Sequence, residues 1–120
     1  MPESKTIDRT ALDNLLTLFR GDAAFLGQLI DTYLADAANL IASLRGAVEA
    51  GHADDLRRAA HSLKSNSANL GAVGLLALGR ELEEIGKGGT VNGAADRLAA
   101  VEAEYERVTA ALRAVQENEL

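Results

Sequence analysis

Few side chains in this 120-residue chain are equipped for chemistry: there are two histidines and no cysteine. Without thiols, disulfides and thiolate metal sites are excluded. His52 follows Gly51 in a segment that reads as a loop, and His61 lies nine residues on. Nine residues turn a helix by about half a revolution overall, so even a continuous helix would hold the two rings on opposite faces. A shared metal site is therefore not expected, and no Ser/His/Asp triad finds support. The stretch GKGGT at 86–90 fails as a phosphate-binding loop, because Gly88 follows Lys87 where a hydroxyl is needed and the upstream glycine is misplaced.

His61 stands out by its surroundings. Leu56, Leu63 and Leu70 recur every seven residues and point roughly opposite to it at helical rotation, so the imidazole sits at the centre of a solvent face. Arg57 and Arg58 share that face one turn before it, Lys64 and Ser65 one turn after, and Ala68 two turns after. Ser65 and Ala68 are small and open a path to the ring. An imidazole in water is largely neutral and nucleophilic at pH 7, and it can take a phosphoryl group on nitrogen as a covalent intermediate. The product gains about two negative charges, to which Lys64 can supply a charge-assisted hydrogen bond. Little else is required, since phosphoryl transfer depends mostly on positioning and charge stabilisation. A helical wheel alone does not separate this arrangement from an ordinary solvated face.

The elements that must position His61 are helices. Twenty-three alanines and nineteen leucines dominate the apolar residues, and the single proline is Pro2; such a composition favours helix over strand. Residues 1–6 read as a loose segment. Asp8 or Thr10 can cap a short first helix that runs to about Phe19 and closes at Gly21. Asp22 is placed to cap a second, long helix, whose apolar residues from Phe25 to Val48 alternate three- and four-residue spacing until Gly51 stops it. A third helix starts near Asp54 and ends before Gly71, and a fourth runs from about Val73 to Ile85. GKGGTVNG (86–93) reads as a flexible loop, and the fifth helix carries the heptad Leu98, Val101, Tyr105, Val108, Leu112, Val115. The expected fold is all-α: one domain over 1–120, an antiparallel four-helix bundle with a short extra N-terminal helix.

The net charge of −6 lacks the basic footprint of a nucleic-acid binder. No apolar run reaches the ~20 residues of a membrane span, and MPESKTIDRT lacks the apolar core of a secretory signal. The expected compartment is the cytoplasm.

The string AAHSLKSNSANLGA (59–72) closely resembles the signature of histidine-containing phosphotransfer domains of two-component phosphorelays, roughly H-x-L-K-G with a later glycine. By that resemblance His61 is the phosphoryl acceptor, Lys64 the phosphate-stabilising lysine, Leu63 the buried apolar position and Gly71 the later glycine. Ser65 departs from the usual glycine but is small, and its hydroxyl can donate to a phosphate oxygen. The family often sets a glutamine beside the histidine. Ungapped alignment puts Glu83 there, and because a carboxylate repels phosphate it is expected to point aside.

The resemblance implies a covalent carrier with neither ATP binding nor kinase activity. Its partners would be receiver domains of response regulators and of a hybrid sensor histidine kinase. It would need no cofactor, magnesium belonging to the receiver, and a monomer is expected. The first helix would supply docking surface, with Leu16 and Leu18 at the edges of an apolar arc of about 160°. The alternative is a helical interaction module that docks signalling partners without being phosphorylated. A histidine kinase dimerisation domain is disfavoured, because it would leave the fourth and fifth helices unexplained.

Overall fold

The computed structural model of the chain describes residues 6–120, the side chain of Glu119 excepted. The expectation of a loose segment at 1–6 lies, Thr6 apart, outside the described residues. Five helices and no strand occur among the described residues: α1 (Arg9–Leu18), α2 (Ala23–Ala50), α3 (Ala53–Leu70), α4 (Val73–Lys87) and α5 (Ala94–Glu119). Each of the four long helices packs on two others, α3 on α4 and α2, and α5 on α4 and α2, while α1 rests on α2 and α3.

Local chemistry explains the boundaries. Asp8 caps α1 by accepting from the Thr10 N–H at 3.0 Å, and Asp22 caps α2 by accepting from the Phe25 N–H at 3.0 Å. Gly71 ends α3 in the left-handed region at φ 74°, where a side chain would be strained. Its Cα also abuts the backbone of Asp8, whose N–H donates to the Gly71 carbonyl at 2.8 Å. One glycine thus stops α3 and seats the start of α1.

Leu56, Leu63 and Leu70 are buried, as are Leu98, Val101, Val108, Leu112 and Val115 of the α5 heptad. Tyr105 of that heptad is half-buried and donates its hydroxyl to the Leu34 carbonyl at 2.8 Å. In the core, the Tyr33 hydroxyl and Ser67 share a hydrogen bond of 2.8 Å between α2 and α3. Burial pushes the Tyr33 phenol up to about 12, against the opposing effect of that bond.

Two details differ from the expectation. Phe25 belongs to the apolar stripe of α2 but stays exposed, packing on Phe19 with ring centroids 4.3 Å apart at 53°. It begins α2 beside the turn that leaves α1, on the wall of a groove open to solvent. The fourth helix also does not stop at Ile85 but takes in Gly86 and Lys87. Gly86 is buried because its bare Cα lies against α3: a Cβ there would come within 2.8 Å of the Ala53 carbonyl oxygen and the Arg57 nitrogen.

Candidate functional site around His61

Gly79 and Gly86 lie seven residues apart on the side of α4 that faces α3. A Cβ on Gly79 would meet the Lys64 nitrogen at 3.1 Å and the Ala60 carbonyl oxygen at 3.2 Å. The two glycines let the backbones of α3 and α4 approach closely and in opposite directions, since Gly79 sits by Lys64 and Gly86 by Arg57. Glu83, midway between them, is carried onto the His61 face.

Glu83 does not point aside. Its carboxylate is 95 % buried and touches both key residues of α3: Oε2 lies 2.8 Å from His61 Nδ1 and Oε1 lies 2.6 Å from Lys64 Nζ. The contact with Lys64 is an ion pair, not an aligned hydrogen bond. The expectation weighed the carboxylate only against a future phosphate and left out the lysine that neutralises it. Lys64 holds the Glu83 carboxyl below the ordinary carboxylate range; burial pushes the other way, and the His61 hydrogen bond adds to the lowering.

An ionised carboxylate can only accept hydrogen bonds. Nδ1 of a neutral His61 must therefore carry the proton, and the lone pair lies on Nε2. Nε2 has no partner among the described residues, and the side chain is 57 % exposed. The arrangement is a fixed, solvent-facing nitrogen nucleophile with an anion behind its ring.

The remaining expected residues distribute as follows. Lys64 is only 27 % exposed at its side chain, engaged with Glu83 more than with solvent. Ser65 and Ala68 are exposed on the His61 face. Arg57 and Arg58 both pair with Asp54, each at 2.8 Å, and Arg57 first, with burial opposing and Arg58 helping, lowers the Asp54 carboxyl. Gly71 stands at the far end of α3. Leu16 is half-buried, whereas Leu18 is 70 % exposed. Between α1, α2 and α3 runs a shallow groove lined by Leu15, Phe19, Phe25, Leu29, Asn66 and Asn69. His52 is exposed at the start of α3, beside Asp55 at 3.3 Å. Among the described residues no group of three or more His, Cys, Asp or Glu is placed to hold a metal ion, and no helix is long and apolar enough to cross a membrane.

Sequence reasoning overlooked Gly79 and placed Gly86 in the loop after the fourth helix. Two glycines inside one helix cost about 1 kcal/mol each against alanine, and their seven-residue spacing was the available signal that a neighbouring backbone comes close.

Comparison with known proteins identifies the family. The family model of the Hpt domain matches residues 28–111, which include His61, Lys64 and Glu83. The crystal structure of histidine-containing phosphotransfer protein B (HptB) from Pseudomonas aeruginosa PAO1 superposes with a TM-score of 0.89 at 29 % identity, covering 98 % of this chain and 100 % of that one. No curated protein matches the chain. Hpt proteins are phosphocarriers, not kinases, and they interact with receiver domains. The chain belongs to the Hpt-domain family, and its function is histidine phosphotransfer in a two-component phosphorelay.

Proposed function

We propose that His61 is the phosphoryl acceptor and that Nε2 is the atom that carries the group. In the forward step the P–O bond to a receiver's aspartate breaks, and a P–N bond to Nε2 forms. Nδ1 keeps its proton throughout, and the Glu83 carboxylate behind it offsets the positive charge that develops on the ring. Lys64 meets the phosphoryl oxygens from one turn along α3. The small side chains of Ser65 and Ala68 leave room for the receiver to bring its phosphate in line. The return step to a second receiver reverses each of these. The observation that carries the reading is the His61–Glu83–Lys64 constellation, which fixes the tautomer of an exposed ring. A bundle used only for docking has no need of it.

We read the four long helices as an antiparallel bundle, with α1 as the extra helix, forming one domain over 1–120. The carrier works as a cytoplasmic monomer and requires no cofactor of its own, magnesium residing in the receiver. It binds neither nucleic acid nor membrane. Receivers of a response regulator and of a hybrid sensor kinase are its partners, docking over His61 with α1 and its exposed Leu18 at the margin. Incubation with a phosphorylated receiver tests the core of this proposal. Acid-labile, base-stable phosphate should appear on the chain and should vanish in His61→Gln. Label that persists in that variant refutes the assignment.

A further inference from the structure

Cations described on this surface are almost all taken. Arg45, Arg97, Arg107 and Arg113 each pair with a carboxylate, and Lys87 pairs with Glu84. Arg57 and Arg58 share Asp54, and Lys64 is engaged by Glu83. Two arginines are exceptions, each exposed and with no ion pair or hydrogen bond of its guanidinium among the described residues: Arg20, in the turn after α1, and, in α4, Arg80.

The place of Arg80 in the fold gives this freedom a meaning. Arg80 follows Gly79, whose Cα lies against the backbone of Ala60 and Lys64, and it precedes Glu83 by one turn. At helical rotation Glu83 sits about 40° and Arg80 about 100° round from Gly79 in the same sense. Arg80 therefore flanks the His61 surface on its α4 side, further out than Glu83.

Charge completes the case. The chain is net −6, and the receiver must present an acidic phosphoacceptor site to it. Two acidic bodies repel at long range unless one offers a local cationic patch. Lys64 is neutralised by Glu83, and Asp54 cancels one of its two arginines, so Arg80 is a large part of the positive charge left beside His61. A guanidinium also presents a planar fork matched to a carboxylate.

Resting on the reading that a receiver docks over His61, we infer that Arg80 is a docking and partner-selecting residue. It engages a carboxylate at the rim of the receiver's phosphoacceptor site. It governs encounter and takes no part in the bond changes at Nε2.

The test uses the full chain as Arg80→Ala, Arg80→Glu and Arg80→Lys, with a phosphorylated receiver as donor. Transfer is followed across receiver concentrations at low and high salt. Arg80→Glu should lower kcat/KM roughly tenfold at low salt, mainly through KM, with Arg80→Ala between it and the wild type. Arg80→Lys should recover the part of the loss that is charge alone and fall short of the wild type for want of the fork, and added salt should narrow the differences. Melting temperatures should match the wild type, as expected for an exposed, unpaired side chain. A wild-type rate for Arg80→Glu at low salt overturns the inference, as does a loss confined to the rate at saturating receiver. If instead the wild-type chain takes no phosphate from any receiver, the underlying reading fails and this inference falls with it.

Discussion

Replacing Glu83 probes the site at its most buried charge. Its carboxylate holds Lys64 at 2.6 Å and His61 at 2.8 Å while only 5 % of the side chain is exposed. Removing one partner of a buried ion pair costs about 3–5 kcal/mol when the other charge is left stranded. Here neither partner is stranded, because Lys64 is 27 % and His61 57 % exposed and both can turn to water. The expected loss for Glu83→Ala is therefore nearer the net value of a hydrogen bond to a charged group, about 1.5–3 kcal/mol. Glu83→Gln keeps a carbonyl for the Nδ1 proton but loses the charge that faces Lys64, so about 1 kcal/mol is expected.

The pH dependence has a definite sign. The folded state lowers the Glu83 pKa, chiefly through Lys64, so the folded chain holds its proton less tightly than the unfolded chain. The contribution is complete above the unfolded carboxylate range and is lost as pH falls through the lowered folded value. Urea unfolding of wild type and Glu83→Gln should show a clear gap at neutral pH that closes in strong acid. Nitrogen NMR of His61 should report Nδ1–H in the wild type and in Glu83→Gln, and mixed tautomers in Glu83→Ala. Phosphotransfer in Glu83→Ala should fall roughly 10- to 100-fold, by analogy with the loss when the partner that orients a metal-ligating histidine is removed. Equal stability of wild type and Glu83→Ala at neutral pH, with the His61 tautomer unchanged, would refute the reasoning.

Other expectations follow from the same geometry. His61→Gln should abolish phosphoryl labelling while changing unfolding free energy by no more than about 1 kcal/mol, since the amide can still donate to Glu83; His52→Gln should label normally. Gly86→Ala should destabilise by about 2 kcal/mol through overpacking, and more than Gly79→Ala, because its Cβ would meet α3 backbone at 2.8 Å instead of 3.1 Å; equal melting temperatures for both variants and wild type would show that the helices separate freely. Leu18→Asp should weaken receiver binding in a titration and leave thermal stability nearly intact, whereas Leu12→Asp, at a position 2 % exposed, should unfold the chain by burying an unpaired charge.

Much of the fold could be read from the sequence because its determinants are local or periodic. Leu56, Leu63 and Leu70 define the buried side of α3 whatever they pack against, and the α5 heptad does the same. Asp22 and Gly71 mark helix ends through hydrogen bonds and dihedral angles that involve only near neighbours. Gly86 was misread for the opposite reason. A glycine after a helical run reads as a stop, and only the presence of α3 against its bare Cα turns it into a packing position within the helix. Phe25 has the spacing of a core residue, and its exposure depends on where α1 ends.

The site divides along the same line. His61, Lys64, Ser65 and Ala68 share one helix, so their common face follows from rotation alone. Glu83 approaches from another helix, and its role depends on a sum of interactions that no single segment contains. Considered against a phosphoryl group, a carboxylate at that position is repulsive and should turn away. Considered against the groups present in the unphosphorylated chain, it meets an ammonium and a ring N–H, and both favour its ionised form. The second balance decides the resting structure, because Lys64 and Nδ1 are always there and the phosphoryl group is transient. On the proposed assignment its attack position is Nε2, on the far side of the ring from Nδ1, so the carboxylate can orient the histidine without occupying the space the phosphate needs.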